Sequence, residues 1–169
     1  ANDRDLTQLT DELGQMGARL LLEPLPSIAD GSALWVSQDE SEVSYAEKIA
    51  KDELLLDPLL SAEDNIRRVR ASSEQAPARC VICAKPVTVL AASLAPDIDA
   101  LSCAANLSSG SFPVALIKKR LILQTADGCV QVLTLKPDGK KQMEARSFAA
   151  GVKALQSGNC HPEAVWSSC

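Results

Sequence analysis

The stretch Lys136-Pro137-Asp138-Gly139-Lys140-Lys141-Gln142-Met143-Glu144-Ala145-Arg146-Ser147-Phe148 closes a run of alternating apolar segments. Just before it, Val130, Val132, Leu133 and Leu135 make an apolar strand, and Pro137-Asp138-Gly139 has the composition of a turn. Lys140 and Lys141 then sit at the mouth of that turn, and Met143 and Phe148 open a short amphipathic helix. A strand, a turn and a helix start within the nineteen residues 130–148 set the scale of the fold: short elements, tight connections.

From Arg79 onward the hydrophobic period is two. Residues 80–84, 87–91, 114–117, 120–125 and 129–135 read as strands, with Lys85-Pro86, Lys118-Lys119 and Asp127-Gly128 as their turns. Residues 95–110, with Pro96 and several serines, form a longer connection. Five short strands with helices before and after predict a mainly β fold, a small antiparallel barrel of oligonucleotide-binding type over residues 79–135. Its expected inward residues are Val81, Val87, Val89, Leu121, Leu123, Val130 and Val132.

Ahead of the strands the period is that of helices. Leu6, Leu9, Leu13, Met16 and Leu20 recur at steps of three and four, one apolar stripe on a helix over residues 4–22. Pro24 and Pro26 end it, and Ile28-Ala29-Asp30-Gly31 turns the chain. Residues 32–44 are acidic and aperiodic, a linker with Trp35 as its expected anchor. Residues 45–57 run up to Pro58, and Ser61 is the N-cap expected for a helix carrying Ile66 and Val69, with Asp64 in its first turn. The chain thus divides into residues 1–31, an acidic linker over 32–57, and a domain over 58–169.

Composition limits the function classes. With 46% hydrophobic residues but five aromatics, the core must be aliphatic, and no apolar run approaches the roughly 20 residues that span a bilayer. No signal peptide is expected at the start; opening on Ala1, the chain is expected to be a processed form or a fragment. Residues 1–64 carry 4 basic and 15 acidic side chains, whereas residues 65–169 carry 13 basic and 7 acidic ones, so the strand-rich part is the one suited to phosphates.

The six cysteines, Cys80, Cys83, Cys103, Cys129, Cys160 and Cys169, are expected as free thiols. Cys80 and Cys83 have metal-ligand spacing, but residues three apart on a strand face opposite sides, so no metal site is expected from them, even with Cys160 and His161 added. His161, the single histidine, lies near the terminus beside Cys160, a poor place to hold a general base. No catalytic residue and no cofactor follow from these residues. Three basic groups are candidate RNA contacts: Arg67, Arg68 and Arg70; Lys118, Lys119 and Arg120; Lys140 and Lys141. With Phe112 as the one aromatic between residues 79 and 135, such contacts would be to phosphates rather than stacked bases.

Several stretches together resemble the methionyl-tRNA formyltransferase family. The opening stretch is similar to that family's "QPxGKKxMxxxxF" signature. Tyr45, Ala46, Lys48, Ile49, Lys51, Glu53 and Asp57 match its "YAxKIxKxExxIDW" segment in register, Arg70-Ala71 its "RA", Pro86-Val87-Thr88-Val89 and Ala92-Ser93 its "PVKVWKAS", and Thr125-Ala126-Asp127-Gly128 its "TGDG" turn. These cover residues 45–151 in order. Residues 6–31 resemble the last helix of the family's catalytic domain and its "LLxxLPxxxxG" end. Two family tryptophans are replaced: Pro58 stands after Asp57, and residues 72–78 stand in place of "FNPWPGA".

The resemblance implies a C-terminal barrel domain that holds tRNA, preceded by the end of a catalytic domain whose Asn-His-Asp site and formyltetrahydrofolate pocket are not in these residues. It therefore implies no enzyme activity of its own and no cofactor. Leu6, Leu9, Leu13, Met16 and Leu20, which in the family face the catalytic domain, become candidate partner-binding residues for other protein subunits. The expected role is a non-catalytic, formyltransferase-derived subunit of a larger assembly in a mitochondrion or chloroplast, with tRNA binding through the basic barrel face as the alternative.

Overall fold

A computed structural model of the chain describes residues 4–98, 101, 110–156 and 161–169. It resolves into two compact units, residues 1–48 and 49–169.

In the first unit, α1 spans Leu6–Leu22 and α2 spans Leu25–Ala29. Asp5 caps α1 by accepting from the Gln8 N–H at 2.8 Å, while the Gln8 side chain accepts from the Asp5 N–H at 3.2 Å, a reciprocal capping box. A single 3₁₀ turn, Glu40–Glu42, follows, capped by Asp39. No described residue of this unit is buried. The expected anchor Trp35 is 80% exposed, since no described residue of the unit is buried to form an interior that could receive an indole.

The second unit holds the strands. They are β1 (Arg79–Ile82), β2 (Lys85–Leu94), β3 (Ser111–Ile117), β4 (Arg120–Gln124), β5 (Cys129–Pro137), β6 (Met143–Glu144) and β7 (Val165–Ser167). All pairings are antiparallel, in the order β2-β1-β7-β3-β4-β5-β6, and β2 also pairs with β5. The sheet therefore closes into a ring of six strands with β6 appended, the form taken here by the expected barrel. Residues 79–135 do not close that ring alone: β7, which sequence reasoning missed, joins β1 to β3.

The interior is aliphatic. Val87, Val89, Val114, Leu121, Leu123, Val130, Val132 and Leu135 all point into one core, capped by Trp166 of β7. Val81, expected inside, is instead half-exposed, and its neighbours Cys80 and Ile82 are fully buried. The reason is the cross-strand partner: Cys80 stands opposite the buried Val87 and shares its face, whereas Val81 stands opposite the exposed Pro86. Cys83 and Ala84, not Lys85-Pro86, make the β1–β2 connection, with φ of 49° and 58°, the left-handed pair of a two-residue hairpin. Arg79↔Thr88 through Ile82↔Lys85 then pair without a gap, and that register sends the even-numbered residues of β1 inward. Lys118 and Lys119, at φ of 49° and 66°, make the same kind of turn between β3 and β4, as expected.

Helix α3 (Ala62–Ala71) has the expected cap: the Ser61 hydroxyl accepts from the Asp64 N–H at 2.9 Å. Its Ile66 and Val69 join the core, as do Phe148 and Ala149 of α4 (Ala145–Ala150) and Leu155 of α5 (Lys153–Gln156). Met143 lies in β6 rather than in a helix. Residues 45–57 form no helix; they lead through turns to Leu54 and Leu56, both buried, and the Leu56 N–H donates to the Arg79 carbonyl at 2.8 Å. No helix among the described residues is long and apolar enough to cross a membrane. Most of the expected 95–110 connection, with Cys103, and Cys160 fall outside the described residues.

One buried polar side chain fixes this entry. Asn65 is 1% exposed; its Oδ1 accepts from the Asp57 N–H, and its Nδ2 donates to the Asp57 and Ser61 carbonyls, each at 2.9 Å. The buried amide thus ties the entering chain to α3 through three bonds. Asn65→Leu keeps the volume but strips those partners, so it should cost at least about 2 kcal/mol and lower the melting temperature by roughly 5–10 °C. A circular-dichroism melt of the two proteins checks this.

Candidate functional site

The three candidate basic groups behave differently. On α3, Arg67 is held by its own helix, with Nη2 on Glu63 at 2.8 Å and Nη1 on Asp64 at 2.9 Å. These are i,i+4 and i,i+3 pairs on an exposed face. Arg68 donates to the Leu55 carbonyl, and Arg70 is half-buried and engaged as well. Arg67 is thus compensated within its own helix, and Arg68 ties α3 to the chain entering it.

At the β3–β4 hairpin the three cations separate. Arg120 forms a two-pronged pair with Asp97, at 2.6 and 3.0 Å, while its Nε donates to Gln131 Oε1 at 2.6 Å. The Arg120 hydrogen bonds hold the Asp97 carboxyl below its ordinary 3.8, with the Arg120 and Lys118 charges adding to the effect. Lys118 and Lys119, at the tip itself, are exposed, and neither makes an ion pair among the described residues. The left-handed turn that positions them also throws both side chains outward, away from the ladder.

Lys140 and Lys141 follow Gly139, whose φ of 72° completes the β5–β6 turn. They too are exposed and without an ion pair among the described residues, although Asp138 beside them is taken by Arg79 at 2.6 Å. Lys85, which sequence reasoning did not single out, lies over the Phe148 ring with its Nζ 5.9 Å from the centroid.

Arg146 is the other basic residue that sequence reasoning missed. It lines a shallow groove of about 410 Å³ on the outside of the ring, with Lys119, Arg120, Gln131, Leu133 and Thr134. Glu144 enters the same groove and pairs with the Arg146 Nε at 2.5 Å. Arg146 is two residues past the β6 bridge Thr134↔Glu144, so only pairing across the sheet brings it to the hairpin cations. A larger cleft of about 610 Å³ lies between the start of α3 and the β4–β5 turn. Its carboxylates are Glu63 and Asp127, and Asp127 is engaged, accepting from the Ala62 N–H at 2.8 Å.

No described set of three or more His, Cys, Asp or Glu side chains is arranged to hold a metal. Cys80, on the inner face of β1, has its thiol pushed up by burial, and Cys83, in the hairpin turn, is pushed up to about 11 by the same cause. Both favour the inert thiol form. His161 is a turn residue whose Nδ1 accepts from the Glu163 N–H at 3.3 Å. The five stripe residues of α1 are between 39% and 67% exposed, and α1 buries none of its side chains.

A ring of short antiparallel strands, flanked by helices and carrying exposed lysines at two of its turns, defines a small β domain. Residues 48–153 match the family described as formyl transferase, C-terminal domain, and the chain belongs to that family. Among solved structures it is similar to a HypX variant from Aquifex aeolicus, at 16% identity and a TM-score of 0.67, covering 95% of this chain and 28% of that one. A second HypX variant matches at 17% identity and a TM-score of 0.64, over 96% and 27%. HypX in complex with tetrahydrofolic acid matches at 18% and 0.55, over 83% and 23%. At these identities the likeness is one of fold, and the chain spans only about a quarter of HypX.

The Asp97–Arg120 pair makes a pH prediction. Asp97 has a folded pKa below its unfolded 3.8, so its contribution to stability is present above that value and lost as pH falls through the folded one. Asp97→Asn should therefore melt below the wild type at pH 7, and the two should converge near pH 2. Paired thermal melts across that range measure it.

Proposed function

We infer that this chain is a non-catalytic, formyltransferase-derived binding module that works inside a larger protein assembly, with α1 as its protein-contacting element. One observation carries the reading. Leu6, Leu9, Leu13, Met16 and Leu20 form an apolar stripe on a 17-residue helix in a unit that has no buried residue. A helix of that length is marginal in water without a packing surface. Burying five such side chains is worth several kcal/mol at about 25 cal/mol per Å². The stripe therefore favours a protein surface as its neighbour. The resemblance of residues 6–31 to the end of a formyltransferase catalytic domain supports the same assignment. Formyl transfer and folate binding are then tasks of other parts of the assembly, and the formyltransferase ancestry favours a mitochondrion or chloroplast as its location.

Leu13→Asp tests this reading. A charge on the stripe would be left unpaired against an apolar partner. The variant should leave its native assembly, read by co-migration on size exclusion, while its own melt stays unchanged. A lowered melt of the isolated chain, or retention in the assembly, overturns the reading.

A second reading, that the ring holds the acceptor arm of a tRNA, is favoured by the four lysines at two turns. Lys118, Lys119, Lys140 and Lys141 are exposed and carry no ion pair among the described residues, unlike Arg67 and Arg120. Replacing all four with Ala should weaken tRNA binding and flatten the log–log salt dependence by up to about 0.9 per lost duplex phosphate contact. A wild-type chain with no measurable tRNA affinity at low salt removes this role.

A further inference from the structure

The segment Leu34-Trp35-Val36-Ser37-Gln38-Asp39-Glu40-Ser41-Glu42 opens on the most exposed apolar run among the described residues. Leu34, Trp35 and Val36 are 90%, 80% and 80% exposed. Residues 34–38 belong to no helix or strand, and among the described residues their main chain makes no hydrogen bond. Asp30 and Asp39 bracket the run, each bonding the N–H and hydroxyl of the serine two positions on. Between residues 30 and 47 the side-chain charges are those of Asp30, Asp39, Glu40, Glu42 and Glu47, with no Lys or Arg. The run therefore has an aromatic, apolar front and an acidic tail.

The outer groove of the ring has the opposite chemistry. Leu133, 42% exposed, supplies an apolar wall, and Lys119, Arg120 and Arg146 rim it. Lys119 has no ion pair among the described residues. Arg146 pairs with Glu144 through its Nε, and among the described residues its two terminal amino groups remain as donors. Arg120, already held by Asp97 and Gln131, adds a fixed wall rather than a free charge. Glu144 is the groove's one acidic residue and is occupied by Arg146.

We propose that two copies of this chain associate by exchanging these elements: Trp35 of one copy lies against Leu133 of the other, and Glu40 and Glu42 meet Lys119 and Arg146. The charges are complementary, and the groove is large enough for an indole. Segment and groove also lie on the same chain, so a two-fold pair makes each contact twice. Each copy supplies its own acidic ligand, and the second contact forms within an already joined pair. This association does not use the α1 stripe and stands or falls separately from it.

Sedimentation equilibrium on the full chain tests the proposal. The wild type should show a monomer–dimer equilibrium by about 100 μM at low salt, weakening as salt rises. Trp35→Ala should weaken the dimer at least about tenfold, and Lys119→Glu with Arg146→Glu should abolish it. All three side chains are exposed, so the monomer fold should survive, as its melt will show. Adding Glu40→Lys and Glu42→Lys to the double reversal should restore association, a rescue that simple loss of charge would not produce. A wild type that stays monomeric, or a dimer indifferent to both Trp35→Ala and the charge reversal, overturns the proposal.

Discussion

Three residues, Val165–Ser167, make the sheet a closed object. They pair with Val81 and Ile82 on one side and with Ser111–Pro113 on the other, so β1 and β3 become neighbours only through them. Without that strand both would present rows of unpaired N–H and C=O groups, the usual template for unwanted strand addition. Trp166 makes the closure hold. It is 1% exposed, plugs the aliphatic interior, and donates its indole N–H to the Gln124 carbonyl at 2.6 Å. A buried indole that has its hydrogen bond contributes a large apolar area with no stranded donor. In a core built mainly from Val, Leu, Ile and Ala, to which α4 adds Phe148, it is the largest side chain.

That strand shows where the sequence was readable and where it was not. The five strands found by period-two alternation are long enough to display the period, and the sites of three connections follow from it. A three-residue strand shows no period, and Trp166 near a chain terminus gives no hint of its neighbours. The register of β1 failed for a different reason. Cys83 and Ala84 carry no composition signal for a left-handed pair, whereas Lys85-Pro86 does look like a turn. A shift of the turn by two residues leaves strand parity unchanged. The error lay in choosing the larger Val81 as the inward residue over Cys80.

The charges divide along a similar line. A count of basic residues places α3, the hairpin and the β5–β6 turn on an equal footing. The fold separates them by what lies within reach. Helical spacing supplies Glu63 and Asp64 to Arg67, and the chain leaving β2 supplies Asp97 to Arg120. Both arginines present a planar fork that suits a carboxylate two-pronged. The lysines, exposed on tight turns, make no ion pair among the described residues. Net charge was legible in the sequence, but whether a cation is already spent on a neighbour was not, because that depends on contacts such as Arg120–Asp97 that are 23 positions apart.

The first unit has a helix with good local credentials and no interior. Its capping box and 3.6-residue stripe settle α1 as a helix at the level of local sequence, yet none of its side chains is buried. Local propensity can decide the conformation of a segment, but it cannot remove apolar surface from water. The two units are therefore incomplete in different ways. The ring has a core and offers unpaired lysines on its turns, so its unused capacity is electrostatic. The helix and the segment after it offer Leu, Met and Trp, so theirs is apolar. A surface of the first kind tolerates solvent and engages anions with strong dependence on salt. A surface of the second kind is stable only when covered. A contact that covers the apolar surface would therefore be the more permanent one, and an anion held by the lysines the more readily exchanged.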